Sequence, residues 1–235
     1  MMKLSTFLFT NPGTHTPNED ALEFFADGNL GVWALADGLG GHARGELASQ
    51  YAVRTIRSLP IGEAELTNEA IEAAYQGINS YVYSQNGPRT TLVSAFLKEG
   101  VFRFANVGDS RLYYFRKGEL FQRTADHSVA YAAYASGEVN YGDIRFHPDR
   151  SRLVRAIGTS EKVQPQLYPA IDAAAGDAFL MCSDGFWEYL FETEMEIDLL
   201  KSRQPKDWVD FMLLRIVRRL KSESDNFSAI AVMIQ

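Results

Sequence analysis

The chain has 235 residues, 46% of them hydrophobic and 23% charged, a composition that excludes a disordered or collagen-like protein. Its 23 basic and 30 acidic residues give a formal net charge of −7, which argues against nucleic-acid binding and a polybasic membrane surface, because both need a basic face. The single cysteine, Cys182, excludes an intrachain disulfide and a cysteine-based metal cluster, and it favours a reducing, cytoplasmic location.

The first apolar run, from Leu4 to Phe9, is too short to span a membrane and stops at Asn11-Pro12-Gly13, so it predicts a strand and no membrane association. Further runs rich in β-branched and aromatic residues, bounded by turns, predict more strands. In chain order they are Ala21–Phe25, Gly31–Ala36, Thr91–Leu97, Val101–Val107, Arg111–Arg116, Leu120–Arg123, Ala178–Cys182 and Phe227–Ile234.

Helical periodicity predicts four helices, which are Gly45–Leu59, Asn68–Ser84, Thr193–Ser202 and Lys206–Lys221. Thr193, with Glu196 three residues on, predicts a capping box. Turns at Lys98-Glu99-Gly100 and Lys117-Gly118-Glu119 predict hairpins and hence antiparallel sheet. Strands and helices fall in separate blocks, so the predicted class is α+β, and the lack of linkers and repeats predicts one domain over residues 1–235.

Acidic residues stand at the ends of several predicted strands. They are Glu19, Asp20, Asp37, Asp109, Asp184 and Asp225. An Asp in a turn is common, and Gly108-Asp109 is also ordinary hairpin chemistry. If these strand ends meet at one edge, however, the carboxylates repel one another and need a counter-charge, which divalent metals supply.

Oxygen ligands select hard cations such as Mg²⁺ or Mn²⁺, and the four histidines lack the HExxH spacing of a zinc protease. Two such metals can activate water and clamp a phosphoryl group, which indicates a metal-dependent phosphohydrolase. The loop from Asp37 to His42 could instead be a dinucleotide site, but GxGxxG is absent and an acid stands where pyrophosphate would approach. Glycine there lets backbone approach a metal, so the Gly38 carbonyl is a candidate ligand.

An ordered series of motifs covers nearly the whole chain and resembles the metal-dependent protein serine/threonine phosphatases of the PP2C (PPM) family in their bacterial form. The motifs are Asn18-Glu19-Asp20-Ala21, Ala36-Asp37-Gly38-Leu39-Gly40-Gly41-His42, Arg89-Thr90-Thr91-Leu92, Asn106-Val107-Gly108-Asp109-Ser110-Arg111, Thr124-Ala125-Asp126-His127-Ser128, His147-Pro148 through Gly158, Cys182-Ser183-Asp184-Gly185-Phe186-Trp187-Glu188 and Asp225-Asn226-Phe227-Ser228.

The resemblance implies an antiparallel β-sandwich with a pair of helices on each outer face and two core metals, Mn²⁺ or Mg²⁺. Carried over by position, Asp37 would bridge both metals. Asp184 and Asp225 would complete the protein ligands of the first metal, and the Gly38 carbonyl would bind the second. The nucleophile implied is a metal-bridging water that attacks phosphorus directly.

The resemblance assigns further roles around that centre. Glu19 and Asp20 would bind the second metal or its waters. Asp109 and Asp184 would hold a third, weaker metal, and Asn226 would support the site beside Asp225. The segment near residues 129–147, which has no firm periodicity, matches the family's flap and is the expected specificity element.

This sequence departs from the family pattern at two positions. His15 stands where family members carry an arginine that grips the substrate phosphate, and histidine has neither the bidentate fork nor the permanent charge of arginine. Arg44 is a candidate to compensate. Leu39 stands where animal members carry a histidine proposed as general acid.

The predicted function is therefore a metal-dependent protein phosphatase acting on phosphoserine and phosphothreonine. Its partners would be phosphorylated proteins and a cognate bacterial Ser/Thr kinase that it opposes, with no nucleic acid and no membrane, and the chain would act as a cytoplasmic monomer. The alternative is a catalytically weak phosphoprotein-binding regulator of the same fold, favoured only by His15. For His127 the sequence favours a local hydrogen-bonding role over a catalytic one. For the basic run on the last helix it favours a solvated face over a partner-docking surface.

Overall fold

The computed structural model of the protein describes residues 2–39, 44–62, 66–220 and 222–235. Within those ranges the strands are Leu4–Asn11 (β1), Asp20–Asp27 (β2), Leu30–Leu39 (β3), Arg89–Thr90 (β4), Leu92–Lys98 (β5), Val101–Val107 (β6), Arg111–Arg116 (β7), Glu119–Arg123 (β8), Gln166–Leu167 (β9), Ile171–Asp172 (β10), Ala178–Cys182 (β11) and Phe227–Ile234 (β12). The α-helices are Gly45–Arg57 (α1), Asn68–Ser84 (α2), Val129–Ala135 (α3), Asp184–Trp187 (α4), Glu192–Lys201 (α5) and Pro205–Arg219 (α6).

The strands form two antiparallel sheets that pack face to face. The first sheet has the order β1-β12-β11-β7-β8, and the second has the order β10-β6-β5-β3-β2 with β4 and β9 paired at its side. Strand β1 pairs with β12 along its whole length, from Leu4 opposite Ile234 to Asn11 opposite Phe227. The predicted α+β sandwich is confirmed, with helices on both outer faces.

Alternate side chains of β3 point to opposite faces of its sheet and so belong to two different layers of the core. Trp33 and Leu35 point into the space between the sheets, where the Trp33 ring meets Phe179 of the other sheet edge to face, with the ring centroids 5.0 Å apart. Val32 and Ala34, on the opposite face of the strand, pack under α1 and α2. Residues of a strand that is buried on both faces are apolar throughout, as GVWALA is.

The first sheet repeats this arrangement with α5 and α6. Phe115 faces outward and packs edge to face on Trp208 of α6, with the ring centroids 5.2 Å apart, while Tyr114 faces the space between the sheets. Both outer layers and the inner layer are therefore closed by apolar side chains. None of the helices in the described ranges is long and apolar enough to cross a membrane.

The two predicted hairpins are present and have the turn conformation that their residues favour. Glu99 and Gly100 have φ angles of 52° and 85°, and Lys117 and Gly118 have φ angles of 53° and 86°. Two successive residues at positive φ make the tight turn that matches the twist of antiparallel strands.

The predicted capping box of the third helix is wrong. Helix α5 begins at Glu192, and its cap is completed by the Glu194 side chain, which accepts a 3.1 Å hydrogen bond from the backbone N–H of Phe191. Glu196 instead accepts a 2.7 Å hydrogen bond from the N–H of Leu120 in β8. The Glu196 side chain, which local spacing assigned to the cap, thus binds a distant strand instead.

The segment matched to the flap contains more regular structure than its sequence predicted. It includes α3, capped by Ser128, and a 3₁₀ helix over Tyr141–Phe146. Ala130 and Ile144 are buried in the cluster under α5 and α6, and Arg145 forms a 3.1 Å ion pair with Glu192. The helix was missed because small residues and tyrosines obscure its apolar stripe.

Candidate metal and phosphate site

A cavity of about 610 Å³ opens at the sheet edge where the acidic strand ends meet, and we refer to it as the carboxylate cavity. Its lining includes eight of the nine predicted site residues, which are His15, Glu19, Asp37, Gly38, Asp109, Asp184, Asp225 and Asn226. Asp20 is buried beside it. The structure therefore brings the predicted residues together, although they come from five separate regions of the chain.

Pairing of β2 with β3 places Asp20 directly opposite Asp37. The backbone of Asp37 is held on its other side, where its N–H donates to Thr91 Oγ1 at 2.9 Å and its carbonyl accepts from Thr90 Oγ1 at 2.8 Å. The threonines of the Arg89-Thr90-Thr91 motif thus position this carboxylate, a role that sequence alone did not indicate.

Asp20 is held from the opposite sheet. Its Oδ2 accepts a 2.8 Å hydrogen bond from Ser183 Oγ, which itself accepts from the N–H of Ser228 at 3.0 Å. Its Oδ1 is buried and has no hydrogen-bond partner among the residues that the structure describes. A buried carboxylate oxygen without a partner is costly, and it is an available site for a cation or for a ligand of one.

Asp184 and Asp109 form the side of the cavity that belongs to the first sheet. Asp184 is the first residue of α4, where its Oδ1 accepts from the N–H of Gly185 at 2.7 Å. The carbonyl of Asp109 accepts a 3.0 Å hydrogen bond from Trp187 Nε1, so that the end of α4 fixes the turn that carries Asp109.

Burial and mutual repulsion disfavour ionisation of these carboxyls. Burial is the main cause and the nearby carboxylates of Asp225 and Asp126, respectively, add to it, so that the pKa of Asp20 is raised to about 6 and that of Asp109 to about 7. For Asp37 and Asp184 the pKa is raised well above its ordinary value, first by burial and then by the neighbouring acids. Such a group of carboxyls becomes fully ionised when positive charge is supplied to it.

Two glycines let the backbone of β3 cross the start of α1. A Cβ on Gly38 would lie 2.4 Å from the backbone carbon and oxygen of Gly45, and a Cβ on Gly45 would lie 2.8 Å from the carbon of Gly38. The N–H of Gly38 also donates to the Glu19 carbonyl at 3.1 Å. This close approach is the physical reason for the glycines and keeps the Gly38 backbone at the cavity wall.

The N-terminal loop is held against the strand end that carries Asp225. Gly13 (φ +59°) would place a Cβ 2.2 Å from the carbonyl oxygen of Asp225. Further along the loop, His15 Nδ1 lies 3.6 Å from Asp225 Oδ1, and the two side chains are 61% and 59% exposed. His15 is therefore exposed at the open mouth of the cavity.

The compensating arginine predicted at Arg44 does not line the cavity; it is exposed just before α1. Arg150 borders an adjoining recess with His15, but its Nε is paired with Glu188 Oε1 at 2.7 Å. Ser151 and Leu153 line the carboxylate cavity itself; both belong to the motif from His147 to Gly158, but the sequence predicted no site role for them. Gly40, Gly41 and His42, the rest of the loop motif, lie outside the described residues.

His127 has the local hydrogen-bonding role that the sequence favoured over catalysis. It is buried, its Nδ1 accepts from the N–H of Gly108 at 3.1 Å, and Arg155 lies 3.2 Å from its Nε2. Burial, together with the charge of Arg155, lowers the pKa of His127 to about 4. It is thus a neutral residue that supports the turn before Asp109.

The residues of the cavity fit hard divalent cations. The donors are carboxylate and carbonyl oxygens, one of them the unpartnered Asp20 Oδ1, and such donors suit Mn²⁺ or Mg²⁺. In the described ranges no group of three His, Cys, Asp or Glu side chains is arranged as a ready-made metal site. The carboxylates share the walls of one cavity without meeting at one point, and repulsion between like charges opposes a closer approach.

Comparison with known proteins gives consistent matches. The sequence model of the family described as "Protein phosphatase 2C" matches residues 12–226. The serine/threonine phosphatase stp of Listeria welshimeri is 37% identical over 188 residues, which cover 75% of this chain and 74% of that protein.

Solved structures agree over the full length. The serine/threonine phosphatase Stp1 of Staphylococcus aureus superposes with a TM-score of 0.87 at 28% identity, covering 99% of this chain and 96% of that one. The catalytic domain of the serine/threonine protein phosphatase PstP, solved in complex with two manganese ions, gives a TM-score of 0.84 at 26% identity, covering 100% of this chain and 99% of that one.

Proposed function

The chain belongs to the protein phosphatase 2C family and is a metal-dependent serine/threonine phosphatase, and we propose that it hydrolyses phosphoserine and phosphothreonine in proteins at the carboxylate cavity. The observation that carries this assignment is the meeting of Asp37, Asp109, Asp184 and Asp225 at one cavity, beside the unpartnered oxygen of Asp20.

The proposed ligands are the carboxylates of Asp37, Asp184 and Asp225 and the carbonyl of Gly38 for two Mn²⁺ or Mg²⁺ ions. Glu19 and Asp20 would bind the second ion or its waters, and Asp109 with Asp184 would hold a third. When bound, such ions supply positive charge to the phosphoryl oxygens and lower the pKa of water.

The chain's own residues orient the ligands and the substrate. Thr90 and Thr91 fix Asp37, and Ser183 fixes Asp20, so that their carboxyl groups are in place before ions bind. Holding ligands before binding reduces the reorganisation that binding requires. At the mouth, His15 is the residue proposed to meet the substrate phosphate.

The test is hydrolysis of p-nitrophenyl phosphate and of a phosphothreonine peptide with Mn²⁺. We expect turnover that a chelator abolishes and that Asp37→Asn or Asp184→Asn reduces at least about 100-fold, the usual range for loss of a group that orients a metal or stabilises the transition state. Asp27→Asn, at the exposed far end of β2, is the matched control. Phosphopeptide binding without metal-dependent turnover would favour the catalytically weak regulator instead.

The proposal extends to the setting of the enzyme. Phosphoserine and phosphothreonine are products of kinases, so a bacterial Ser/Thr kinase is the proposed opposing enzyme. We also propose one domain over residues 1–235, since β1 near the beginning pairs with β12 near the end, together with a monomeric state and a cytoplasmic location. Sedimentation of the purified protein would test the monomeric state, because a dimer would have twice the mass of 26.3 kDa.

A further inference from the structure

A second cavity, of about 380 Å³, lies beside the carboxylate cavity and shares Leu39, Ser151 and Leu153 with it. The two are therefore adjacent pockets separated by a common wall. Three arginines line the second cavity, Arg89, Arg152 and Arg155, and we refer to it as the arginine pocket.

The two pockets have opposite charge. The lining of the carboxylate cavity includes five carboxylates, which are Glu19, Asp37, Asp109, Asp184 and Asp225, and no Arg or Lys from the described ranges. The lining of the arginine pocket contains no Asp or Glu from those ranges. In a chain of net charge −7, this concentration of guanidinium groups beside the reaction site is a local exception to the overall charge.

Two of the arginines are available to a ligand. Arg89 is exposed on β4, opposite Leu39 of β3, and its side chain makes no hydrogen bond or ion pair with any described residue. Arg152 is exposed, and the one acidic group that its guanidinium approaches among the described residues is Asp149, at 3.5 Å, an interaction that solvent weakens. The strand pairing holds the Arg89 backbone in place, so this cation has a defined position.

Arg155, the third arginine of the pocket, has a structural role. Its guanidinium donates to the Gln164 carbonyl at 2.8 Å and faces His127 Nε2 at 3.2 Å. It contributes charge to the pocket while it braces the segment that forms the wall. Its replacement would therefore disturb the fold, whereas Arg89 and Arg152 can be replaced without removing a structural contact of this kind.

We propose that the arginine pocket binds an anionic side chain of the protein substrate, a carboxylate or a second phosphate, a few residues from the phosphorylated residue in the carboxylate cavity. This inference rests on the proposed function. Guanidinium groups bind oxyanions through paired, charge-assisted hydrogen bonds. An extended peptide advances about 3.4 Å per residue, so that adjacent pockets are occupied by nearby residues of one segment.

This arrangement also accounts for how substrate could be held at a site without its own arginine. His15 offers no permanent charge at the mouth of the carboxylate cavity. A second anionic contact one pocket away would supply attraction that the phosphate contact lacks, and it would select phosphorylated segments with acidic neighbours.

The experiment measures kcat/KM with Mn²⁺ for two phosphothreonine peptides of equal length, with either Asp or Asn at the two positions on each side. For the unaltered protein we expect the acidic peptide to be preferred about fivefold, since two exposed ion pairs contribute about 0.5 kcal/mol each. In R89Q/R152Q the ratio should fall to about one. Arg218→Gln, at an exposed position on α6, is the control for loss of a remote arginine, although it removes one positive charge where R89Q/R152Q removes two. It should leave the ratio near fivefold.

Wild-type salt dependence gives a second measurement that needs no variant. The preference should decrease as salt rises, because salt screens exposed charges. A ratio of one or less for the unaltered protein, or a fivefold ratio that survives in R89Q/R152Q, would overturn the inference. Absence of any Mn²⁺-dependent hydrolysis of the Asn peptide would instead refute the proposed function.

Discussion

The side-chain oxygen of Asn226 accepts a 2.8 Å hydrogen bond from the backbone N–H of Glu19. The Nδ2 group of Asn226 donates to the carbonyls of Pro12 and His15, at 2.7 and 3.0 Å. One buried amide thus joins the start of β12 to the loop that carries both His15 and Glu19. The sequence order of these residues does not suggest this link, because more than 200 positions separate them.

Asn226→Ala should release the N-terminal loop. Because the N–H of Glu19 loses its partner, we expect the free energy of unfolding in urea to fall by about 1–3 kcal/mol and phosphatase activity to fall with it. Asn140→Ala removes an exposed amide whose one side-chain partner in the described part of the chain is Asp143, and it should cost less than about 0.5 kcal/mol. Equal losses in the two variants would contradict the role assigned to Asn226.

Gly38→Ala and Gly77→Ala should have opposite effects. At Gly38 a Cβ would lie 2.4 Å from the backbone of Gly45, so that α1 must move away from the cavity wall. We expect a loss of about 1–3 kcal/mol of stability, together with weaker Mn²⁺ binding. At Gly77, within α2, nothing lies within 4 Å of the added Cβ, and the substitution should stabilise the protein by about 0.5–1 kcal/mol. Urea unfolding measures both, and a neutral Gly38→Ala would refute the close-crossing argument.

Two ion pairs that have the same N···O distance differ in how deeply their side chains are buried. Arg111 and Asp126 are 2.6 Å apart with side chains 2% and 1% exposed, and the Arg111 guanidinium stacks 3.4 Å from the centre of the Trp187 ring. Lys206 and Asp210 are also 2.6 Å apart, but about half exposed. Asp126→Asn should destabilise the protein by about 3 kcal/mol because it leaves a buried guanidinium uncompensated, whereas Asp210→Asn should cost less than about 0.5 kcal/mol. Similar unfolding free energies for the two variants would show that burial does not matter here.

The metal-free protein should become less stable as pH rises towards neutrality. Burial, with a smaller contribution from neighbouring carboxylates, raises the pKa of Asp20 to about 6 and the pKa of Asp109 to about 7, whereas in the unfolded chain both are near 3.8. Between the unfolded and the folded pKa of each group, the folded protein therefore binds more protons than the unfolded chain. In that range its unfolding free energy falls with rising pH by on the order of 1 kcal/mol per pH unit for each group.

Thermal melts with a chelator between pH 5 and pH 8 measure this slope. Asp20→Asn or Asp109→Asn should flatten it, since each removes one of the groups that titrate in this range. Added Mn²⁺ should raise the melting temperature most at the higher pH, because bound metal needs deprotonated ligands. A chelated protein whose stability rises from pH 5 to pH 8 would contradict the buried carboxyl argument.

More of the fold than of the site could be predicted from the sequence. Local patterns predicted α2 over Asn68–Ser84 and β11 over Ala178–Cys182, because burial on a helix stripe or a strand imposes a regular spacing. The cap of α5 was mistaken because Glu196 is held by Leu120, 76 positions away, and no local rule contains that contact. Long-range pairings of this kind are fixed by packing.

In the site, too, residues with a local sequence signal were predicted and long-range contacts were not. Asp37 and Asp184 were predicted from their places after apolar strands, since an acid at the end of a buried strand has a recognisable context. The groups that hold the acids were missed: Ser183 on Asp20 and Thr91 on Asp37. Serine and threonine are common at strand ends for many reasons, so their type alone does not reveal which carboxylate they serve.

His15→Arg should improve substrate binding. His15 lies at the mouth of the carboxylate cavity, 3.6 Å from Asp225, and an arginine there would offer a permanent charge and two parallel donors to a phosphate. We expect KM for a phosphothreonine peptide to fall by up to about tenfold, since a charge-assisted pair is worth about 1.5 kcal/mol more than a neutral contact. Gln85→Arg adds the same charge at the exposed end of α2 and should leave KM unchanged. An unchanged or higher KM in His15→Arg would mean that Asp225 captures the new guanidinium, or that the phosphate is held elsewhere, and either result would remove His15 from the substrate site.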